Sequence, residues 1–98
     1  MVYVDKLTAC TPGKKWKYKT SCHLWADTLE ELFEFIDEKM PAWFNKKWLH
    51  RSVLIKDKIF FDHFDLTRSN RLIAVQGGAQ EVDTKFLIEF CKNKRRKK

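Results

Sequence analysis

The sequence lacks the long apolar runs of membrane proteins and the short motifs that identify common enzyme classes. No apolar run approaches the roughly 20 residues that a membrane-spanning helix needs, which excludes an integral membrane protein. The first residues do not have the basic and then apolar layout of a signal peptide, so we expect none. The sequence contains no nucleotide-binding loop, zinc-binding cluster or nucleophile elbow. Motifs therefore do not name a reaction.

Cysteine is scarce as well. The chain has three cysteines, Cys10, Cys22 and Cys91, and none of them has Cys-x-x-Cys spacing. An odd number without a signal peptide predicts reduced thiols in a cytoplasmic protein rather than a disulfide framework. Cys22 and Cys91 stand among apolar residues, where we expect them to pack as small hydrophobic side chains.

What the chain does contain is enough for one folded domain. Its 98 residues leave no room for a second independent core. Hydrophobic residues make up 44% of the chain and charged residues 34%, a balance typical of a folded soluble protein rather than a disordered one. We expect a single domain over residues 1–91 and a basic C-terminal tail over residues 92–98.

The net charge of +7 is concentrated in two short segments. Six of the last seven residues are lysine or arginine, and four lysines surround two aromatic residues in residues 14–19. Lysines interleaved with aromatic rings favour nucleic-acid binding, because bases stack on the rings while lysines follow the phosphates. A half-buried strand and a solvated tail would explain the same patterns. The candidate nucleic-acid-binding residues are Lys14, Lys15, Trp16, Lys17, Tyr18, Lys19, Arg71, Lys94, Arg95, Arg96, Lys97 and Lys98.

Local patterns in the first half of the chain predict two strands and a helix. Residues 2–5 and 22–27 alternate as half-buried strands do, with a turn expected at residues 11–13. The clearest element is a helix from about Thr28 to Met40, which has apolar residues at helical spacing. Asp27 or Thr28 can cap it, and Thr28-x-x-Glu31 matches the capping box.

The second half is predicted to continue this alternation. Trp43, Phe44 and Trp48 are expected to be semi-buried, and residues 52–61 after them indicate a hairpin. A second helix is expected to start at Asp65 or Thr67 and to end at the glycine pair 77–78. A short strand at residues 79–82 then leads to a last helix capped by Asp83 or Thr84.

The order of these elements predicts an α/β fold. Strands that alternate with helices are typical of α/β domains, in which a helix connects neighbouring parallel strands. We therefore expect a small single domain with a short, at least partly parallel sheet and about three helices.

Five segments, taken in chain order, form a recognisable pattern: Val2-Tyr3-Val4-Asp5, Cys22-His23-Leu24-x-Ala26-Asp27-Thr28-x-x-Glu31-Leu32, Trp43-Phe44, His63-Phe64-Asp65-Leu66 and Arg71-x-x-Ala74-x-x-x-Gly78-Ala79-x-x-Val82. In these segments the chain resembles the DUF4031 family of small uncharacterised bacterial and phage proteins. Residues 46–61 look longer than the family norm, and the basic tail lies outside the pattern. The resemblance implies an architecture and a phage-type context, but no reaction.

Five polar residues in these segments are candidate ligands for a divalent metal: Asp5, His23, Asp27, His63 and Asp65. If the first two strands are parallel neighbours, Asp5 and Asp27 meet at the ligand-binding edge of the sheet. Imidazole and carboxylate groups there could hold a metal that activates water for phosphoester hydrolysis. Structural roles compete with this interpretation, because the aspartates suit helix caps or ion pairs and the histidines suit core or interface positions.

Three functional hypotheses follow. The one that we favour on sequence alone is a non-enzymatic, phage-type accessory protein that associates with nucleic acid or a nucleic-acid-handling complex. The second is a metal-dependent phosphoester hydrolase that uses the His/Asp cluster. The third is a protein-binding inhibitor of a host enzyme or defence complex, anchored by Trp25, Trp43, Phe44 and Trp48.

Overall fold

The computed structural model describes residues 1–9, 18–49 and 62–96. In chain order the elements are β1 (Val2–Val4), β2 (Thr8–Ala9), β3 (Thr20–Ala26), α1 (Leu29–Lys39), a 3-10 turn (Lys46–Trp48), β4 (Phe64–Leu66), α2 (Arg68–Gln76), β5 (Gln80–Glu81) and α3 (Thr84–Arg96). The predicted turn at 11–13 and hairpin at 52–61 lie outside the described residues. So do Cys10, Lys14, Lys15, Trp16, Lys17, Lys97 and Lys98.

The sheet is built around β3, which has more pairing partners than any other described strand. It pairs antiparallel with β1, β2 and β4, and β1 in turn pairs parallel with β5. The described residues therefore form a mixed five-stranded sheet with three α-helices. This confirms the predicted α/β fold, including its partly parallel sheet.

The chain that runs from β1 to β2 contains one residue more than the stretch of β3 that these two strands pair with. Val4 pairs with Leu24 and Thr8 pairs with Ser21, so four steps along one strand match three along the other. An unmatched residue of this kind is a β-bulge, which bends the strand and re-aims a side chain. The bulge follows directly on β1 and begins at Asp5.

Helix α1 covers the predicted segment, and Thr28, one of the two predicted caps, caps it. The Thr28 side-chain oxygen accepts a hydrogen bond from the Glu31 backbone N–H at 3.1 Å. The Glu31 side chain does not close a reciprocal capping box, because it bonds to the amino group of Met1. Leu32 and Ile36 are the buried residues of the helix.

One face of the sheet carries the main hydrophobic core. Alternate residues of β1, β3 and β4 point to this face and pack with residues from α1 and α2. The buried residues of this cluster are Val2, Val4, Cys22, Leu24, Ala26, Leu32, Ile36, Met40, Phe44, Phe64, Leu66, Ala74 and Ala79. Cys22 is therefore a buried core residue, as predicted.

The opposite face has a smaller aromatic cluster covered by α3. Tyr3 and Trp25 pair across β1 and β3 and are both buried. Phe86 and Phe90 of α3 lie 5.0 and 5.8 Å from the Tyr3 ring, measured between ring centroids. Helices thus pack on both faces of the sheet, which is the layered arrangement of an α/β domain.

The start of α2 differs in part from the prediction. The Thr67 side chain caps the helix by accepting from the Asn70 N–H at 3.2 Å, which matches one of the two expected caps. Asp65 is not a cap, because it lies in the middle of β4. The short strand interrupts the apparent helical pattern because Phe64 and Leu66 pair with β3 and are buried in the core.

Helix α2 ends at the predicted glycine pair, and the last helix follows a short strand. Gly78 has φ of 111°, a left-handed conformation that favours glycine. Asp83 accepts a hydrogen bond from the Phe86 N–H at 2.9 Å and caps α3. Helix α3 continues to Arg96, so the basic run that starts at Lys92 begins inside the helix. Across the described ranges, none of the helices is both long enough and apolar enough to span a membrane.

Candidate metal centre

A row of polar side chains crosses the sheet beside the Tyr3–Trp25 aromatic pair. His23 of β3 is paired with Asp65 of β4, and the Asp5 N–H bonds to the His23 carbonyl at 3.4 Å. Directly paired residues project to the same face of a sheet. Asp5, His23 and Asp65 therefore share the face that bears Tyr3 and Trp25. The chain neighbours that point into the main core are Val4, Cys22, Leu24, Phe64 and Leu66.

His63 completes a group of metal-ligating side chains with His23 and Asp65. One ring nitrogen of each histidine and one carboxylate oxygen of Asp65 all lie within 4.8 Å of one another. The two imidazole rings meet edge to face, with centroids 5.2 Å apart. His63 Nε2 lies 3.7 Å from Asp65 Oδ1. Thus three of the five predicted metal residues lie within reach of a single ion.

Asp5 supports this group through His23. Its Oδ1 accepts from the His23 backbone N–H at 2.6 Å, and its Oδ2 lies 2.7 Å from His23 Nδ1. In a regular ladder the backbone carbonyl of Asp5 would accept the His23 N–H. Because the bulge starts here, the carboxylate takes that role, and Asp5 is only 6% exposed.

The backbone carbonyl of Asp5 that the bulge releases is held by Arg71 of α2. Arg71 Nε donates to this oxygen at 2.9 Å, and its Nη2 lies 3.1 Å from a carboxylate oxygen of Glu81 in β5. Arg71 was a candidate for nucleic-acid binding on sequence. In the structure it links α2, the bulge and the edge strand, so its guanidinium already has two protein partners. The sequence analysis missed Glu81, since only the parallel β1–β5 pairing brings it near Asp5.

The pKa values on the two sides of β3 reflect different surroundings. Burial disfavours the charged His23 ring, but the hydrogen bond to Asp5 and the charges of Asp5 and Asp65 outweigh it, so the His23 pKa is raised above its usual 6.5. On the core side, burial above all, and then the charge of Asp5, raises the pKa of the Cys22 thiol to about 12. Cys22 is therefore unsuited to act as a nucleophile or a metal ligand.

Asp27 does not belong to this group, which corrects the five-residue prediction. β1 and β3 run antiparallel, so Asp27 at the end of β3 lies beside the start of β1, whereas Asp5 lies beyond its end. There Asp27 accepts from the Tyr3 hydroxyl at 3.0 Å and pairs with the Met1 amino group at 3.1 Å. The prediction assumed parallel neighbours, and antiparallel pairing places the two carboxylates at opposite ends of the strands.

The described residues of the predicted nucleic-acid surface lie in three places, one of which is Arg71 of α2. Tyr18 and Lys19 are exposed and lie just before β3. Residues 94–96 form the last turn of α3. Neither segment belongs to the group of His23, His63 and Asp65. The role of both segments in binding nucleic acid stays a prediction.

The four aromatic residues proposed as protein anchors differ in exposure. Trp25 and Phe44 are buried, so they are core residues and not anchors. Trp43 and Trp48 are 61% and 50% exposed, more than the semi-buried state that we predicted. For these two, a role in binding another protein stays a prediction.

Two histidines and one carboxylate match the ligand preferences of Zn²⁺, Fe²⁺ or Mn²⁺ better than those of Mg²⁺, which prefers oxygen ligands. Around zinc, with ligands at about 2.0–2.1 Å, neighbouring ligand atoms lie about 3.4 Å apart. Three atoms within 4.8 Å of one another therefore need to move inward by about 0.8 Å or less. The residues present therefore fit such an ion after small side-chain rotations.

Comparison of the chain with known proteins assigns it to a family. No curated protein and no solved structure matched the chain. One family model, described as a protein of unknown function, matches residues 2–94 and covers both the strands and the helices that build the site. The chain therefore belongs to the DUF4031 family.

Proposed function

We propose that the protein binds a divalent transition-metal ion through His23, His63 and Asp65 and uses it to hydrolyse phosphate esters. The observation that carries this proposal is the convergence of two imidazoles and one carboxylate within 4.8 Å. The three residues come from β3 and from the segment at β4, which are paired with each other, so the sheet fixes their spacing.

The ligand set suits catalysis as well as binding. Three protein ligands leave coordination positions open for water and substrate, as in catalytic zinc and non-haem iron sites. An ion held in this way lowers the pKa of water toward 7 and stabilises the negative charge of a phosphoryl group. In the hydrolysis, the water oxygen bonds to phosphorus, the bond to the leaving oxygen breaks, and the leaving oxygen gains a proton.

The charge of the chain supports phosphate esters as the substrate class. The net charge is +7, and its excess lies in residues 14–19 and 92–98. Cationic segments raise the local concentration of polyanions and speed their encounter with a site. A phosphodiester of a nucleic acid fits both the metal chemistry and this charge.

The test combines metal binding with hydrolysis by the full chain. Calorimetry with Zn²⁺, Mn²⁺ and Fe²⁺ should show one site, and the loaded protein should cleave bis(p-nitrophenyl) phosphate or a labelled oligonucleotide. His63→Ala should lose site-specific binding and at least about 100-fold of the hydrolysis rate. Asp27→Asn is the matched control, because Asp27 lies outside the group, and it should behave as the wild type. Absence of site-specific metal binding, or equal hydrolysis by His63→Ala, would overturn the proposal.

A second proposal is that the C-terminal basic run binds nucleic acid. It is favoured by the continuation of α3 to Arg96, which arranges the start of the run on a helix. Replacing residues 94–98 with glutamine should weaken DNA or RNA binding. The slope of log K against log salt concentration should become shallower by about 0.7–0.9 for each lost phosphate contact. Lys47→Gln with Lys85→Gln is the control for charge elsewhere. If the full chain has no affinity at low salt, this proposal is wrong.

A further inference from the structure

We propose that Asp5 is a positioning residue that fixes His23 with Nε2 directed to the metal, and that it is not itself a ligand. This inference rests on the metal centre proposed above. It gives Asp5 a different role from the one expected on sequence, where it was a candidate ligand like the others.

Both carboxylate oxygens of Asp5 already have a donor on His23. Oδ1 accepts from the backbone N–H at 2.6 Å, and Oδ2 lies 2.7 Å from Nδ1. An ionised carboxylate can only accept, so the proton of this second bond sits on Nδ1. The lone pair of the neutral imidazole is then on Nε2, the nitrogen that remains for a metal.

The backbone of Asp5 is also fixed, by a hydrogen bond from Arg71. The bulge turns its backbone carbonyl away from β3, and Arg71 Nε binds that oxygen at 2.9 Å while Nη2 binds Glu81. The residue is buried, and both of its carboxylate oxygens contact His23. A carboxylate with so little freedom is suited to hold an imidazole in one orientation and one tautomer.

The geometry also separates Asp5 from the ligand atoms. The group within 4.8 Å comprises His23, His63 and Asp65, and Asp5 is outside it. A carboxylate that binds the distal nitrogen of a metal-ligating histidine is a recurring arrangement in metal sites. Its removal typically lowers metal affinity by about 10- to 100-fold. That is a smaller loss than removal of a ligand should give.

Asp5→Asn is the sharpest variant because it keeps the size of the side chain. The carboxamide has one acceptor oxygen, and its NH2 group must face either the His23 backbone N–H or Nδ1–H. In the first orientation the backbone bond is lost. In the second, the amide donates to Nδ1 and the ring proton moves to Nε2, the nitrogen that the metal needs. We expect Zn²⁺ affinity to fall about 10- to 100-fold in calorimetry, and the visible absorption bands of the Co²⁺-loaded protein to change. Asp27→Asn should change neither.

A measurement on the wild type keeps the test independent of whether Asp5→Asn folds. Long-range ¹H–¹⁵N spectra of the metal-free protein at pH 8.5 should show His23 with its proton on Nδ1. A proton on Nε2 overturns the inference, as does unchanged Zn²⁺ affinity in a folded Asp5→Asn protein. If the wild type binds no metal, the proposed function fails instead, and the tautomer still reports on Asp5 separately.

Discussion

The two faces of the sheet are made by alternate residues of the same strands, yet they have different chemistry. On one face, Leu24 and Phe64 are fully buried in an apolar core under α1 and α2. On the other, their neighbours His23 and Asp65 form a polar group beside the Tyr3–Trp25 aromatic pair. The apolar face fixes the backbone, and this lets the polar face hold its side chains in register across three strands. Stability and chemistry are therefore expected to separate by face.

The largest effect is expected from breaking the apolar face. Phe64 is fully buried, and its ring lies 5.2 Å from that of Phe44. Phe64→Ala should lower the free energy of unfolding by about 3–5 kcal/mol, because it removes buried area and leaves a cavity. Urea denaturation measures this, with Leu72→Ala on the exposed side of α2 as a control that should change stability by less than about 0.5 kcal/mol. A loss below about 1 kcal/mol for Phe64→Ala would show that this face is not the main core.

On the polar face, the expected effect depends on metal. Zn²⁺ at 100 times its dissociation constant should stabilise the wild type by about 2.7 kcal/mol, since it binds the folded state only. Dialysis against a chelator should remove this gain, and His63→Ala should never show it. Thermal unfolding with and without metal is the measurement. An equal gain in His63→Ala would place the ion elsewhere.

A smaller effect should appear as a dependence of stability on pH in metal-free protein. The pKa of His23 is raised in the folded state above its ordinary 6.5. Its contribution to stability is therefore complete below pH 6.5 and is lost as pH rises through the folded-state pKa. The stability difference between wild type and His23→Gln should be larger at pH 6 than at pH 8.5. A difference that grows toward pH 8.5 would contradict a His23 pKa raised by the hydrogen bond and charge of Asp5.

The smallest effect is expected at Cys22, whose thiol should not be alkylated in the native protein. Cys22 is the chain neighbour of His23 but points to the apolar face, where burial raises its thiol pKa to about 12. Iodoacetamide at pH 8 should leave it unmodified in the native protein and alkylate it in urea, because only the thiolate reacts. Peptide mass mapping distinguishes it from the other two cysteines. Rapid native labelling would show that the core face opens readily.

Much of the local structure was predictable because its signals are local. The capping threonine and helical spacing located α1, and the glycine pair located the end of α2. The start of α2 was ambiguous, since Phe64-Asp65-Leu66 fits the apolar pattern of a helix as well as that of a strand. Only pairing with β3 decides between them, and pairing is a contact between distant parts of the chain.

The sequence predicted the residue types of the candidate site, but not which of the five candidates lie together. Histidine and aspartate at residues 5, 23, 63 and 65 were recognised by residue type, and the structure brings these four together. Asp27 was grouped with them on the assumption that β1 and β3 are parallel. The roles of Asp5, Arg71 and Glu81 depend on the bulge and on the parallel β1–β5 pair, for which the sequence has no local signal.

The sequence by itself determined which residues of β1 and β3 share a face, since side chains alternate with a period of two in any strand. It also limited each helix start to two candidate caps and determined the concentration of positive charge near the C-terminus. The direction in which strands pair was decided only by the tertiary structure, because the alternating pattern is the same for parallel and antiparallel neighbours. That choice placed Asp5 against His23 and moved Asp27 to the other end of the strand. It thereby set which carboxylate can serve the metal centre.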